Sequence, residues 1–212
     1  MKRILTFLVT AATLLGCSHD EAFTPNTPTE KATYYASFAD AEADSRTYLD
    51  ENFMLLWHND DRISLFTTTY NEEYKFADPT GSNAGKFEAI DNDSWVTGNP
   101  VSTNYAVYPY NEHNALSNSE ILTIHFHAEQ AYAEKSFGRG ANTMVAAAQS
   151  STSRLLPFRN AGGFLMLKLY GEGAVKSITL EGNNDEILSG AATAQAKYGY
   201  LPLITMGNEG GK

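Results

Sequence analysis

Two histidines, His125 and His127, stand two apart in the stretch "EILTIHFHA". Residues two apart on a strand face the same way, so both imidazoles could reach one metal ion. No third ligand accompanies them at ligand spacing. The competing reading is the polar side of an amphipathic strand, with Leu122, Ile124 and Phe126 on the other side. "DNDSW" (Asp91–Trp95) opens like a calcium loop, but Trp95 and Val96 stand where an EF-hand needs Asp/Asn and Gly. An Asx-rich turn remains. "GSNAG" lacks the central serine of a nucleophile elbow, and no strand–glycine-loop–helix unit can cradle phosphate. Carboxylates are plentiful, yet nothing picks out a catalytic pair, and "HNDDR" (His58–Arg62) reads as a solvated turn. Trp57, Trp95, Tyr105, Tyr108 and Tyr110 would stack on sugar rings if exposed; aromatics spaced through strands more often fill a core. No catalytic residue, metal ligand or cofactor follows from these patterns.

The remaining reactive group is Cys17, the only cysteine. It has no cysteine partner and only His19 nearby, which argues against a disulfide or a metal site. Its upstream context is more informative. Lys2 and Arg3 precede an uncharged apolar run, Ile4 to Leu15. That run is shorter than the roughly 20 residues a membrane-spanning helix needs and suits the apolar region of a secretory leader. The tetrad Leu14-Leu15-Gly16-Cys17 looks like the lipobox of bacterial lipoproteins. It implies cleavage between Gly16 and Cys17 and a diacylglycerol on the sulfur. Each buried methylene adds about 0.8 kcal/mol, so two or more acyl chains would anchor the chain firmly.

Charge narrows the partners. The full sequence carries −10, and losing Lys2 and Arg3 with the leader takes it to −12. Such a surface repels phosphate backbones and excludes nucleic acid as a partner.

Residues 1–16 are therefore expected as a signal peptide and 17–45 as an acidic, proline-containing tether with Pro25 and Pro28. "YYASFADAEADSRTYLD" permits either helix or strand. Beyond it, strand signals dominate. "DRISLFTTTY" is rich in β-branched and aromatic residues. "YKFADPTGSNAGKFEAI" reads as a hairpin with a long loop, and "NYAVYPYN" as a short strand that Pro109 marks as an edge or a bulge. "GGFLMLKLYG" is expected as a central strand and "VKSITLEGNNDEILSG" as the clearest hairpin. "NTMVAAAQSSTS" could be a short helix or a small-residue crossover. Many short strands without βαβ alternation predict an all-β sandwich.

Taken as a collinear set, five stretches resemble the N-terminal domain of the fimbrillin family, the pilin and pilin-like lipoproteins of Bacteroidetes. They are "RTYLDENFMLLWHNDDRISLF", "YAVYPYN", "EILTIHFHAEQAY", "LPFRNAGGFLMLKLYG" and "VKSITLEGNNDEILSGAATA". The marks are Trp57, Asp61 and Ile63 in Trp-x-x-x-Asp-x-Ile, then Tyr-Pro-Tyr, then Phe-Arg-Asn-x-x-Gly. The resemblance implies a transthyretin-like or immunoglobulin-like β-sandwich of antiparallel strands over 46–200. It also implies a lipidated precursor delivered to the outer membrane and the cell surface, with a structural or adhesive role and no catalysis. Asp20 and Glu21 are similar to the export signal of such lipoproteins. In pilin members a protease cuts after an arginine before the first domain, removing a strand and opening a groove for a neighbouring subunit's strand. Arg46, followed by Thr47, occupies the matching place; an ordinary surface arginine would look the same. Residues 201–212 are expected as a tail where the family's second domain would begin. A surface lipoprotein that binds glycans through exposed aromatics is the alternative, and a hydrolase the weakest.

Overall fold

The computed structural model describes residues 31–39, 55–91, 97–133, 136–165 and 167–212. Among them there are strands and no helix. The strands in chain order are β1 (Tyr34–Phe38), β2 (Arg62–Thr68), β3 (Glu72–Phe76), β4 (Ala84–Ala89) and β5 (Pro100–Tyr108). There follow β6 (Ala115–Leu116), β7 (Leu122–Phe126), β8 (Tyr132–Ala133), β9 (Ser136–Phe137) and β10 (Met144–Ala147). The last are β11 (Leu155–Asn160), β12 (Gly190–Gln195) and β13 (Leu203–Met206).

The all-β class is as the sequence predicts, but the architecture differs from a two-sheet antiparallel sandwich. Seven strands close into a barrel in the order β1-β11-β10-β5-β2-β3-β4, and a separate four-stranded sheet runs β13-β12-β7-β6. The barrel contains one parallel pair, β1 with β11; its other pairings are antiparallel. Closure leaves the barrel without a free edge, which is what β1 accomplishes by pairing β4 on one side and β11 on the other.

Strand alternation explains why β2, β5 and β10 are buried on both faces. Ile63 and Leu65, Ala106 and Tyr108, and Met144 and Ala146 point into the barrel. Their neighbours Phe66, Tyr105, Val107, Val145 and Ala147 point outward and meet Leu116, Leu122, Ile124, Ala192 and Ala194 of the second sheet. The molecule thus has two cores that share one wall. The β10 sequence "MVAA" is neither helix nor crossover: it is a central strand of small residues pressed between both cores.

Four further expectations change. Residues 34–38, within the predicted 17–45 tether, are a barrel strand. Residues 203–206, within the predicted tail, pair with β12. β5 is neither an edge nor cut short by a bulge at its end; it lies between β2 and β10, and the cis Tyr108–Pro109 bond follows its last residue. The largest correction concerns 163–188. The predicted central strand and hairpin carry no strand pairing among their described residues, and Leu165, Leu167, Leu169, Ile178 and Leu180 are exposed.

Buried polar side chains are tied into the loops. Asn104 Nδ2 donates to the carbonyls of Ser151 and Ser153, fixing the turn between β10 and β11. Asn114 Nδ2 donates to Ser64 Oγ and to the Pro109 carbonyl, fixing the chain beyond β5.

Candidate functional site

Trp57 is the centre of the barrel. Its ring is fully buried and stacks on Phe38 at 4.8 Å, with edge contacts to Phe87 at 5.1 Å and to Tyr108 and Phe158 at 5.5 Å. The inward alanines Ala36, Ala106, Ala146 and Ala148 leave space for these rings. This burial removes Trp57 from any sugar-stacking platform, and Tyr105 and Tyr108 are buried as well. Tyr110 is half-buried and Trp95 lies outside the described residues.

Against this centre sits β1, the feature with the clearest functional geometry. It is five residues long and alternates cleanly: Tyr34 and Ala36 are buried, Phe38 packs on Trp57, and Tyr35 is exposed. Its register with β11 runs from Tyr35↔Leu155 to Phe38↔Phe158, and with β4 from Tyr34↔Phe87 to Ser37↔Ala84. Beyond the ladders, the Tyr35 amide donates to the Arg154 carbonyl at 2.8 Å and the Ala39 amide to the Phe158 carbonyl at 2.9 Å. Ala36 lies opposite Gly85, where a Cβ would fall 2.6 Å from the Phe76 ring. The middle of the slot holds a small, buried residue, while both ends hold aromatic ones.

Electrostatics fasten the same segment. Lys31 Nζ lies 2.8 Å from Glu72 Oε2, and both side chains are largely buried. Glu72 Oε1 accepts from Thr67 Oγ1 at 3.1 Å. Tyr34 meets Tyr74 edge-on at 5.7 Å. Burial, and then the Glu72 carboxylate, push both phenols above their ordinary pKa.

A second buried charge lies nearby. Asp61, in the turn expected to be solvated, is buried; its Oδ2 accepts the His58 amide at 2.7 Å and its Oδ1 the Tyr108 hydroxyl at 3.0 Å. Burial is the leading cause of an upward shift of its carboxyl, opposed by those two hydrogen bonds. The arrangement closes the turn into β2.

Of the residues singled out from sequence, Gly16, Cys17, Arg46 and Thr47 lie outside the described residues. His125 and His127 are on and just past β7, with His125 half-buried and His127 exposed. No group of three His, Cys, Asp or Glu side chains among the described residues is placed to hold a metal ion. Lys31, Tyr34, Ala36 and Phe38 were missed; the Tyr-x-Ala-x-Phe alternation in "YYASF" was the available signal. No described helix is long and apolar enough to cross a membrane.

The class this geometry defines is an all-β barrel with a sheet packed on one wall and an N-terminal strand closing the barrel. Comparison with known protein families, with curated proteins and with solved structures gives no match.

Proposed function

We propose that the chain is a fimbrillin-like, lipid-anchored structural protein of the cell surface: a pilus subunit, pilus anchor or adhesin component acting through β-strand addition. One observation carries the reading. The strand that closes the barrel, β1, lies upstream of Arg46, while β2 to β13 lie downstream of it. A cut between Arg46 and Thr47 would leave β1 attached to the barrel by non-covalent contacts alone. Its loss would expose the facing edges of β4 and β11, and a strand from another pilin-like subunit could take its place. In that mode, main-chain hydrogen bonds supply affinity and alternating side chains supply register.

The lipobox-like sequence at Cys17 supports an outer-membrane anchor that such a cut would leave behind with β1. The layered part of the fold, the sheet of β6, β7, β12 and β13 on the β2-β5-β10 wall, is the portion compatible with the sandwich that the resemblance implies. The glycan-binding alternative loses Trp57, Tyr105 and Tyr108 to the cores.

Mass spectrometry of protein extracted from the cell surface tests the reading. Assembled material should contain chains that begin at Thr47, and Cys17→Ala should move the precursor out of the membrane fraction. Monomers carrying only acylated Cys17 would reject assembly, and unchanged fractionation of Cys17→Ala would reject the anchor.

A further inference from the structure

The histidine pair noted in the sequence acquires a different partner in the fold. β6 and β7 pair antiparallel with Ala115 opposite Thr123 and Leu116 opposite Leu122. Continuing that register by two residues sets His113, just before β6, opposite His125 on β7. The two imidazole rings are 6.0 Å apart, centre to centre, with planes inclined at 57°. A metal–nitrogen bond of about 2.0–2.1 Å puts each ring centre about 3.2 Å from the metal, so two rings on one ion lie within about 6.4 Å. The observed spacing fits that limit.

Neither ring is committed to holding the fold together. The Nδ1 of His125 is buried and has no hydrogen-bond partner among the described residues. His113 is exposed, and its Nε2 lies 3.7 Å from the Glu112 carboxylate. Burial, and then the neighbouring His113 and His127, push the pKa of His125 below the ordinary imidazole value. The acidic character of the chain favours a cation over an anion as the ligand.

We propose that His113 and His125 form a cross-strand, two-imidazole site for a late first-row divalent cation such as Zn2+. Two protein ligands leave the other coordination positions to water or to a donor from outside, so the site is open rather than structural. Imidazole donors select Zn2+, Cu2+ or Ni2+ over Mg2+ and Ca2+, which take oxygen ligands. This site lies on the second sheet and is independent of the β1 slot.

Histidine footprinting with diethyl pyrocarbonate on the full chain, read residue by residue by mass spectrometry, tests it with Zn2+ alone as the probe. Zn2+ should protect His113 and His125 together and leave His58 reactive, because His58 Nδ1 lies 2.8 Å from the Arg139 guanidinium. Mg2+ should protect neither. Loss of an outer-shell partner costs a metal site 10–100-fold, so losing a ligand in His113→Ala should weaken Zn2+ protection of His125 by at least about tenfold. His113 is exposed, so this variant should fold normally. Zn2+ protection of His125 that survives His113→Ala unchanged, or no protection of either ring, would overturn the site.

Discussion

Phe38→Ala probes the seating of β1 directly. Phe38 stacks on Trp57 at 4.8 Å with ring planes only 19° apart, and it packs against the barrel core without being fully buried. A fully buried Phe→Ala change costs about 3–5 kcal/mol. Scaled to a partly buried ring, about 2 kcal/mol is expected, or roughly a 30-fold change in the equilibrium constant at 1.4 kcal/mol per factor of ten. In urea, with a slope of about 2 kcal/mol/M, the unfolding midpoint should fall by about 1 M with the slope unchanged. Tyr35 on the same strand faces outward and is 46% exposed. Tyr35→Ala should therefore stay within about 0.5 kcal/mol of the parent. Equal effects of the two substitutions would show that β1 is not seated by alternation, and the slot would have to be abandoned.

Lys31→Ala should destabilise by up to about 3–5 kcal/mol, because it strands the largely buried Glu72 carboxylate; adding Glu72→Gln should recover much of the loss in equilibrium unfolding. Asp61 has a folded-state pKa above its unfolded value of 3.8, so its contribution is fully present below that value and is lost as pH rises through the folded pKa. Stability profiles of the parent and Asp61→Asn should accordingly shift in favour of the variant as pH climbs from 4 to 7, and a shift the other way would reverse the assignment. Leu165→Ser and Leu167→Ser should each change stability by less than about 0.5 kcal/mol, since both side chains are exposed. Losses of about 2–5 kcal/mol there would instead restore the core strand predicted from sequence.

The parts of the fold legible in the sequence are those whose local pattern matches their surroundings. β3 and β4 flank the Pro/Gly/Asn turn cluster and pair as a hairpin. β7 buries Leu122 and Ile124 on the face that alternation predicts. β10 was not legible, because "MVAA" lies between two cores and shows neither alternation nor bulk. Asp61 sits in a run of polar residues, and its burial rests on the His58 amide together with the Tyr108 hydroxyl, a partner from β5 that lies 47 residues away in the chain. The segment 163–188 shows the converse failure. Its leucines alternate like a strand, but among the described residues they are exposed and unpaired, so alternation without a buried face to pack on does not make a core strand. The β1 slot could not be read from "YYASF" alone, since its partners lie some 50 and 120 residues downstream.

The exchangeability of β1 is tested most directly with a labelled synthetic peptide spanning residues 31–39. A recognition sequence for a site-specific protease is placed between Arg46 and Thr47, and the chain is cut there, mixed with excess peptide and separated by native gel filtration. The account predicts that label enters the cut barrel while the intact chain excludes it, and that replacing Ala36 by Trp in the peptide abolishes entry at the Gly85 position. A cut barrel that never takes up the peptide, or an intact chain that takes it up equally well, would contradict it.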